Sequence, residues 1–195
     1  MGGGGGELSL DHSCAFWLSG EGTYNSGMTN GDLIEYGLAT PADVPGVVEL
    51  CMLVEEQHEA YWPLRWERRP GLKEGYTQWM ARRVVEGGKN RMLTAVARDR
   101  ALDGEVVGAI LVTIEKEVPI YTYSEFALVQ DLAVRETHRR RGIAQRLLAD
   151  AAAWAKGYGL NQLRLMAAVQ NPHARAAFEK AGFRTTYHEM VLPLE

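Results

Sequence analysis

Residues 126–157 constrain this chain more than any other stretch. Phe126-Ala-Leu-Val-Gln-Asp-Leu-Ala-Val134 is rich in the residue types that suit a pleated, half-buried strand. Arg139-Arg-Arg-Gly-Ile-Ala144 follows, and then Ile143, Leu147, Leu148, Ala151, Ala152, Trp154 and Ala155 recur at helical spacing. The order strand, glycine turn, helix puts backbone N–H groups without intrahelical partners at the positive end of a helix dipole, which attracts an anion. Gly142 and Ala144 keep side-chain bulk away from the main chain, and the arginines add fork-shaped, charge-assisted donors. Such a loop fits a pyrophosphate.

Two common phosphate cradles are excluded. A P-loop closes on Gly-Lys-Ser/Thr, and a dinucleotide fingerprint needs Gly-x-Gly-x-x-Gly after its strand; neither string occurs. Basic runs also mark nucleic-acid patches. This run is short, however, and the whole chain carries a net charge of −4, so no nucleic-acid partner is expected.

The sequence divides into two parts. Met1 and five glycines open a stretch without helical or strand period, so residues 1–30 read as a disordered leader or upstream extension. Residues 31–195 are long enough for one domain with a sizeable core. No apolar run approaches the ~20 residues that span a bilayer, and Cys14-Ala-Phe-Trp-Leu18 lacks the basic head of a secretory signal. A cytoplasmic protein without a membrane partner is expected. Cys14 and Cys51 lack metal-ligand spacing, so no metal is expected, and Cys51 reads as core. The first 64 residues hold ten acids and no Lys or Arg, whereas the basic residues lie beyond them with the loop.

Periodicity supplies the remaining elements. Residues 33–39 form a short first strand, and Thr40-Pro-Ala-Asp43 is a capping-box-like helix start. One helix carries Val44, Val47, Val48, Cys51 and Met52; separate helical stretches follow at 55–62 and 76–86, with irregular chain around Trp62–Trp66. Residues 92–97 and 106–117 pair as a hairpin about Asp103-Gly104, with the strand at 126–134 antiparallel beside it. A helix at 142–157, a strand at 163–169, a helix stopped by Gly182 and a last strand complete the chain. The class is α/β (α+β), a mixed, mostly antiparallel central sheet flanked by helices.

Arg139-x-x-Gly142-x-Ala144 resembles the acyl-CoA loop of the GNAT (GCN5-related) N-acetyltransferases. The strand ending Gln130-Asp-Leu-Ala-Val134, the helix at 142–157, the strand at 163–169, then Asn171 and Phe178-Glu-Lys-Ala-Gly-Phe183 follow in that family's order. The resemblance covers roughly residues 32–195. It implies acetyl-CoA as cosubstrate, a small-molecule amine as acceptor, and an assembly compatible with a homodimer. It also implies main-chain contacts from Leu132, Ala133 and Val134 to the pantetheine arm, with the Leu132 N–H as oxyanion donor. By the same resemblance the segment Arg139, Arg140, Arg141, Gly142, Ile143, Ala144 and Gln145 holds the pyrophosphate. Asn171 bonds the pantetheine arm, while Arg175 and Phe178 line the CoA channel. The family often has Tyr where this chain has Phe178, which leaves the acid for the departing thiolate open among Tyr158, His173, Tyr187 and His188.

Acetyl transfer also requires an amine without its proton. A primary amine of pKa ~10 is about one part in a thousand deprotonated at pH 7, a penalty of roughly 4 kcal/mol. Asp131, beside the oxyanion donor, is the first candidate for proton acceptor, with Glu125 and Glu115 in reserve. For the acceptor, the resemblance points to Glu55, Glu56, Glu59, Tyr61 and Trp62 early in the chain, and to Tyr121 and Tyr123 between the third and fourth strands. Acids interleaved with aromatics suit a polyvalent cation. An aminoglycoside is the leading choice, with a polyamine, a peptide or a protein as alternatives. A non-catalytic acyl-CoA sensor is the reading from another class, supported by Phe178. Neither cysteine has a context that would make it a nucleophile, so transfer through a ternary complex is expected.

Overall fold

The structure is a computed structural model that describes residues 33–86 and 91–194; the expected leader over 1–30 lies outside them. Strand β1 (Ile34–Leu38) leads through a 3-10 turn (Pro41–Asp43) into α1 (Val44–Tyr61), the short α2 (Pro63–Trp66) and α3 (Leu72–Glu86). Strands β2 (Met92–Asp99), β3 (Glu105–Lys116) and β4 (Glu125–Val134) follow, then α4 (Ile143–Gly157), β5 (Leu163–Leu165) and α5 (Pro172–Lys180). The five strands form one sheet in sequence order. The first four are antiparallel, and β5 runs parallel to β4. This is the mixed sheet that the periodicity predicts.

Each face of the sheet has its own core. Leu147, Leu148, Ala151 and Trp154 of α4 pack with Leu93, Ala95, Ile110 and Val129 on one face. On the other, Val47, Val48 and Cys51 of α1 and Met80 of α3 pack with Val96, Ala109, Leu111 and Ala133. The approach to α1 is pinned by a buried ion pair. Asp43 accepts from the Thr40 N–H and hydroxyl at 2.6 Å each, and from Arg98 Nε and Nη2 at 2.7 Å each. Burial opposes the Asp43 charge, but these donors outweigh it and hold its pKa below the usual carboxylate value.

Four sequence expectations need correction. The helical stretches at 44–52 and 55–62 are one continuous helix, since no Gly or Pro interrupts residues 47–62. It stops where Pro63 forces Trp62 into an extended conformation, and residues 63–66 then form the short α2 rather than irregular chain. Strand β5 covers only 163–165 of the expected 163–169, because its partner β4 pairs with it no further than Val129. After α5 no strand forms among the described residues. The chain passes α2 instead, where Arg65 donates to both carboxylate oxygens of Glu189 at 3.0 Å.

Gly108 sets how closely α4 approaches the sheet. A Cβ at this position would stand 2.7 Å from Ile143 Cγ2 and 3.4 Å from both Ala97 Cβ and Leu147 Cδ1. Ile143 is β-branched, buried and the first residue of α4, so it has little freedom to yield. Gly108→Ala is therefore expected to destabilise the fold by about 1–3 kcal/mol. Urea unfolding measures this; an unchanged midpoint would show that α4 can lift without cost.

Candidate active site

The site is organised by a one-residue bulge in β4. Leu111 pairs with Asp131 and Val112 with Val129, which leaves Gln130 outside the ladder register, its side chain donating to Thr113 Oγ1 of β3 at 2.8 Å. An extra residue reverses every later side chain and amide relative to simple alternation. Ala127 and Val129 pack in the α4-side core, so uninterrupted alternation would send Asp131 there as well. Beyond the bulge, Leu132 and Val134 take that face instead. Ala133 packs in the α1/α3-side core, and Asp131 bonds across to α3 on the same side.

The bulge also decides which amides are available. Arg135 N–H donates to Val107 O of β3 at 2.8 Å. Alternation then sends the Ala133 and Asp131 amides to β3, and those of Leu132 and Val134 to the opposite edge. Val134 O accepts from Arg139 Nε at 3.3 Å, as expected of a carbonyl on that outer edge. Pairing with β5 involves only residues 127–129, so β4 runs on past its neighbour with an edge that no strand pairs among the described residues.

The loop at the end of this edge has the shape an anion needs. Arg140 and Gly142 both adopt left-handed backbone conformations, with φ of 62° and 80°. Nothing lies within 4 Å of where a Gly142 Cβ would be. Arg139, Arg140, Arg141, Gly142 and Gln145 are exposed and Ala144 is half-buried, while the Ile143 side chain belongs to the core and offers only its backbone. Beneath the loop, buried His138 places Nε2 2.9 Å from Asp99 Oδ2 and Nδ1 2.8 Å from Thr137 Oγ1. Asp99 also accepts from the Ala101 N–H at 2.9 Å. The hydrogen bond from His138, then that from Ala101, lowers the Asp99 pKa.

Asp131 occupies a polar nest between β4, α1 and α3. Tyr76 Oη donates to Asp131 Oδ2 at 2.5 Å, and the buried Cys51 thiol lies close enough to the same carboxyl to favour its charged form. Burial raises the Asp131 pKa, while Tyr76, the nearby His58 and Cys51 pull in the other direction. Glu55 is raised too, by burial and then by the charge of Asp131, so the two carboxylates feel each other. Cys51, Glu55 and His58 stand four and three residues apart, on one face of α1. That spacing was visible in the sequence. Tyr76, Asp99 and His138 were not singled out there, because only the tertiary fold brings them to their partners.

The other expected site residues have partners or surroundings of their own. Glu56 and Glu59 do not form an open acidic patch with Glu55: Arg68 donates to Glu59 through its backbone N–H at 3.0 Å and Nε at 2.7 Å, and to Glu56 at 3.3 Å. Glu125 begins β4, six residues from Asp131, and is held by Arg91 at 2.9 Å through both oxygens. Glu115 accepts from Thr113 Oγ1 at 2.7 Å. Tyr121 and Tyr123 line a separate hollow with Glu117 and Arg164 at the β3–β4 turn. Tyr61 and Trp62 close α1 near His58, whose ring stacks on Trp66 with centroids 5.4 Å apart. Asn171 caps α5 by accepting from the Ala174 N–H at 3.0 Å, which commits its oxygen but leaves its amide donors. Phe178 packs edge-on against Phe183 beside the core, and Arg175 is exposed on the same helix.

Residues 47–183 match the model of the Acetyltransferase (GNAT) family. The chain belongs to this family of acyltransferases. A curated relative, GCN5-related N-acetyltransferase 4, chloroplastic, from Arabidopsis thaliana, is 41% identical over 59 residues, 30% of this chain and 20% of the relative. The match thus spans one fifth of that protein. Among solved structures, a mutant of the BH1408 protein from Bacillus halodurans superposes with a TM-score of 0.70 at 21% identity, covering 82% of this chain and 99% of the other. The aminoglycoside antibiotic 6'-N-acetyltransferase AAC(6')-Ih from Acinetobacter baumannii gives a TM-score of 0.63 at 18% identity, covering 83% and 98%. At these identities the structures share the fold.

The lowered Asp99 pKa carries a signed consequence. A carboxylate depressed by folding stabilises the fold above its unfolded pKa, and that contribution is lost as pH falls through the folded value. Asp99→Asn is expected to melt below the parent at pH 7. The gap should close as pH falls below about 4, where the unfolded aspartate protonates. Melting curves at both pH values check this, and a gap that persists at low pH would contradict it.

Proposed function

We propose that this chain moves the acetyl group of acetyl-CoA directly to a primary amine of a small cationic acceptor, with an aminoglycoside as the favoured class. The observation that carries the reading is the open edge of β4, which ends at an anion-ready loop and has Asp131 on its adjacent face. In this reading the outward amides of Leu132 and Val134, with the Ala133 backbone between them, hold the pantetheine arm. The loop from Arg139 to Gln145 holds the pyrophosphate on backbone N–H groups and guanidinium donors. Asn171 at the cap of α5, with Arg175 and Phe178 on that helix, would border the arm.

Chemistry proceeds in one complex. The acceptor's ammonium gives a proton to the Asp131 carboxylate, and the freed amine attacks the thioester carbonyl carbon. The Leu132 N–H meets the oxyanion, an interaction worth roughly 3–4 kcal/mol in rate where one such donor has been removed from other enzymes. Collapse breaks the C–S bond; the CoA thiolate leaves and takes up the second proton released by nitrogen. A thiol pKa of about 8.5 makes the thiolate a fair leaving group, so Phe178 in place of a hydroxyl acid is tolerable. Glu55 contributes negative charge beside Asp131, while His58, Tyr61, Trp62 and Trp66 contribute aromatic surface for a cationic sugar. The negative charge set among aromatic rings is what favours a cationic sugar over an uncharged amine.

CoA release, followed with acetyl-CoA and a panel of aminoglycosides, polyamines, amino acids and peptides, tests the reading. Turnover with aminoglycosides is expected, and CoA binding without turnover on any amine would favour a sensor. Gly142→Asp puts a carboxylate against the phosphates and strains the left-handed turn. It should weaken CoA by at least about tenfold (~1.4 kcal/mol) in calorimetry, and unchanged affinity would remove the loop from the site. Glu55→Gln should raise the acceptor KM several-fold, about 1 kcal/mol of binding, whereas Glu56→Gln, on a carboxylate already tied to Arg68, should not. Equal effects would mean that this helix face does not discriminate.

A further inference from the structure

We propose that Tyr76 is a positioning residue for Asp131, holding its carboxylate in place and in the charged form that accepts the amine proton. This rests on Asp131 as the proton acceptor. The phenol reaches from α3 to β4 and donates to Oδ2 at 2.5 Å. Its direction is set by packing, since Tyr76 sits against the α1/α3-side core with its ring 5.4 Å from that of Trp79. A group held by packing keeps a partner oriented without an entropy cost at each turnover.

The charges around Asp131 show why the phenol matters. Cys51, Glu55 and His58 face it from α1 and Tyr76 faces it from α3; β3 opposes it with Leu111, and β5 ends before reaching it. Burial disfavours the Asp131 carboxylate, whose charge in turn raises the pKa of Glu55. Tyr76 supplies the strongest opposing influence, ahead of His58 and Cys51. Burial pushes the Tyr76 phenol and the Cys51 thiol well above their ordinary values, so both remain protonated donors throughout the working pH range. The phenol is thus a fixed hydrogen-bond donor, and the thiol is no nucleophile.

The sign of the effect follows. The proton acceptor must be ionised, so activity falls on the acid side as Asp131 protonates. Without the phenol the carboxylate takes up its proton more readily, and the acid limb of kcat/KM moves to higher pH. Tyr76→Phe is expected to shift that limb up by about one unit, a roughly tenfold loss on the acid side that recovers at alkaline pH. The acetyl-CoA KM should not move. Replacing Tyr76 with 3,5-difluorotyrosine, whose more acidic phenol donates a stronger hydrogen bond, should shift the limb down while keeping the packing. An equal loss at every pH in Tyr76→Phe, or a limb unmoved in either variant, overturns the proposal. Asp131→Asn separates the two claims. If the limb survives in Asp131→Asn, the assignment of Asp131 as proton acceptor fails; if it vanishes there but Tyr76 variants leave it in place, only the positioning role fails.

Discussion

The bulge at Gln130 is the constraint on which the site depends. One extra residue in β4 reverses the alternation of everything after it, and two consequences follow together. Asp131 turns toward α1 and α3, where Tyr76 and Cys51 receive it. The Leu132 and Val134 amides turn to the edge that β5 leaves open beyond Val129. Without the bulge a carboxylate would be pressed into the apolar face under α4, and the amides of Asp131 and Ala133 would point outward instead. A charge in such surroundings is costly to keep ionised.

The loop that follows is held by the same sheet. Gly108, opposite Val134, lets Ile143 settle on β3, and this fixes the height of the α4 N-terminus. His138 and Asp99 anchor the turn before it to the end of β2. The exposed arginines and Gly142 therefore stand on a buried support. That arrangement lets the left-handed residues at 140 and 142 keep their conformation before any ligand arrives.

Local patterns in the sequence were sufficient for the sheet-forming strands, α4 and its loop. Leu147, Leu148, Ala151 and Trp154 share a face by spacing alone, and the glycine needed for a left-handed turn stands in the string itself. The bulge was not legible, because Gln130 is surplus only relative to a partner strand on which Val112 and Leu111 are consecutive. The fate of Glu56 and Glu59 was hidden for a similar reason: Arg68 reaches them only after Pro63 and the short α2 fold the chain back. A last strand was expected after the helix stop at Gly182, but a strand also needs an edge to pair with. Here the chain runs past α2, where Glu189 meets Arg65.

Amide hydrogen exchange along β4, read residue by residue with and without acetyl-CoA, tests the central claim most directly. If the bulge sets the outward amides, acetyl-CoA should slow exchange at Leu132 and Val134. Asp131 and Ala133, already bonded to β3, should change little. Protection at Asp131 and Ala133 instead, or none along the strand with acetyl-CoA bound, would contradict the account.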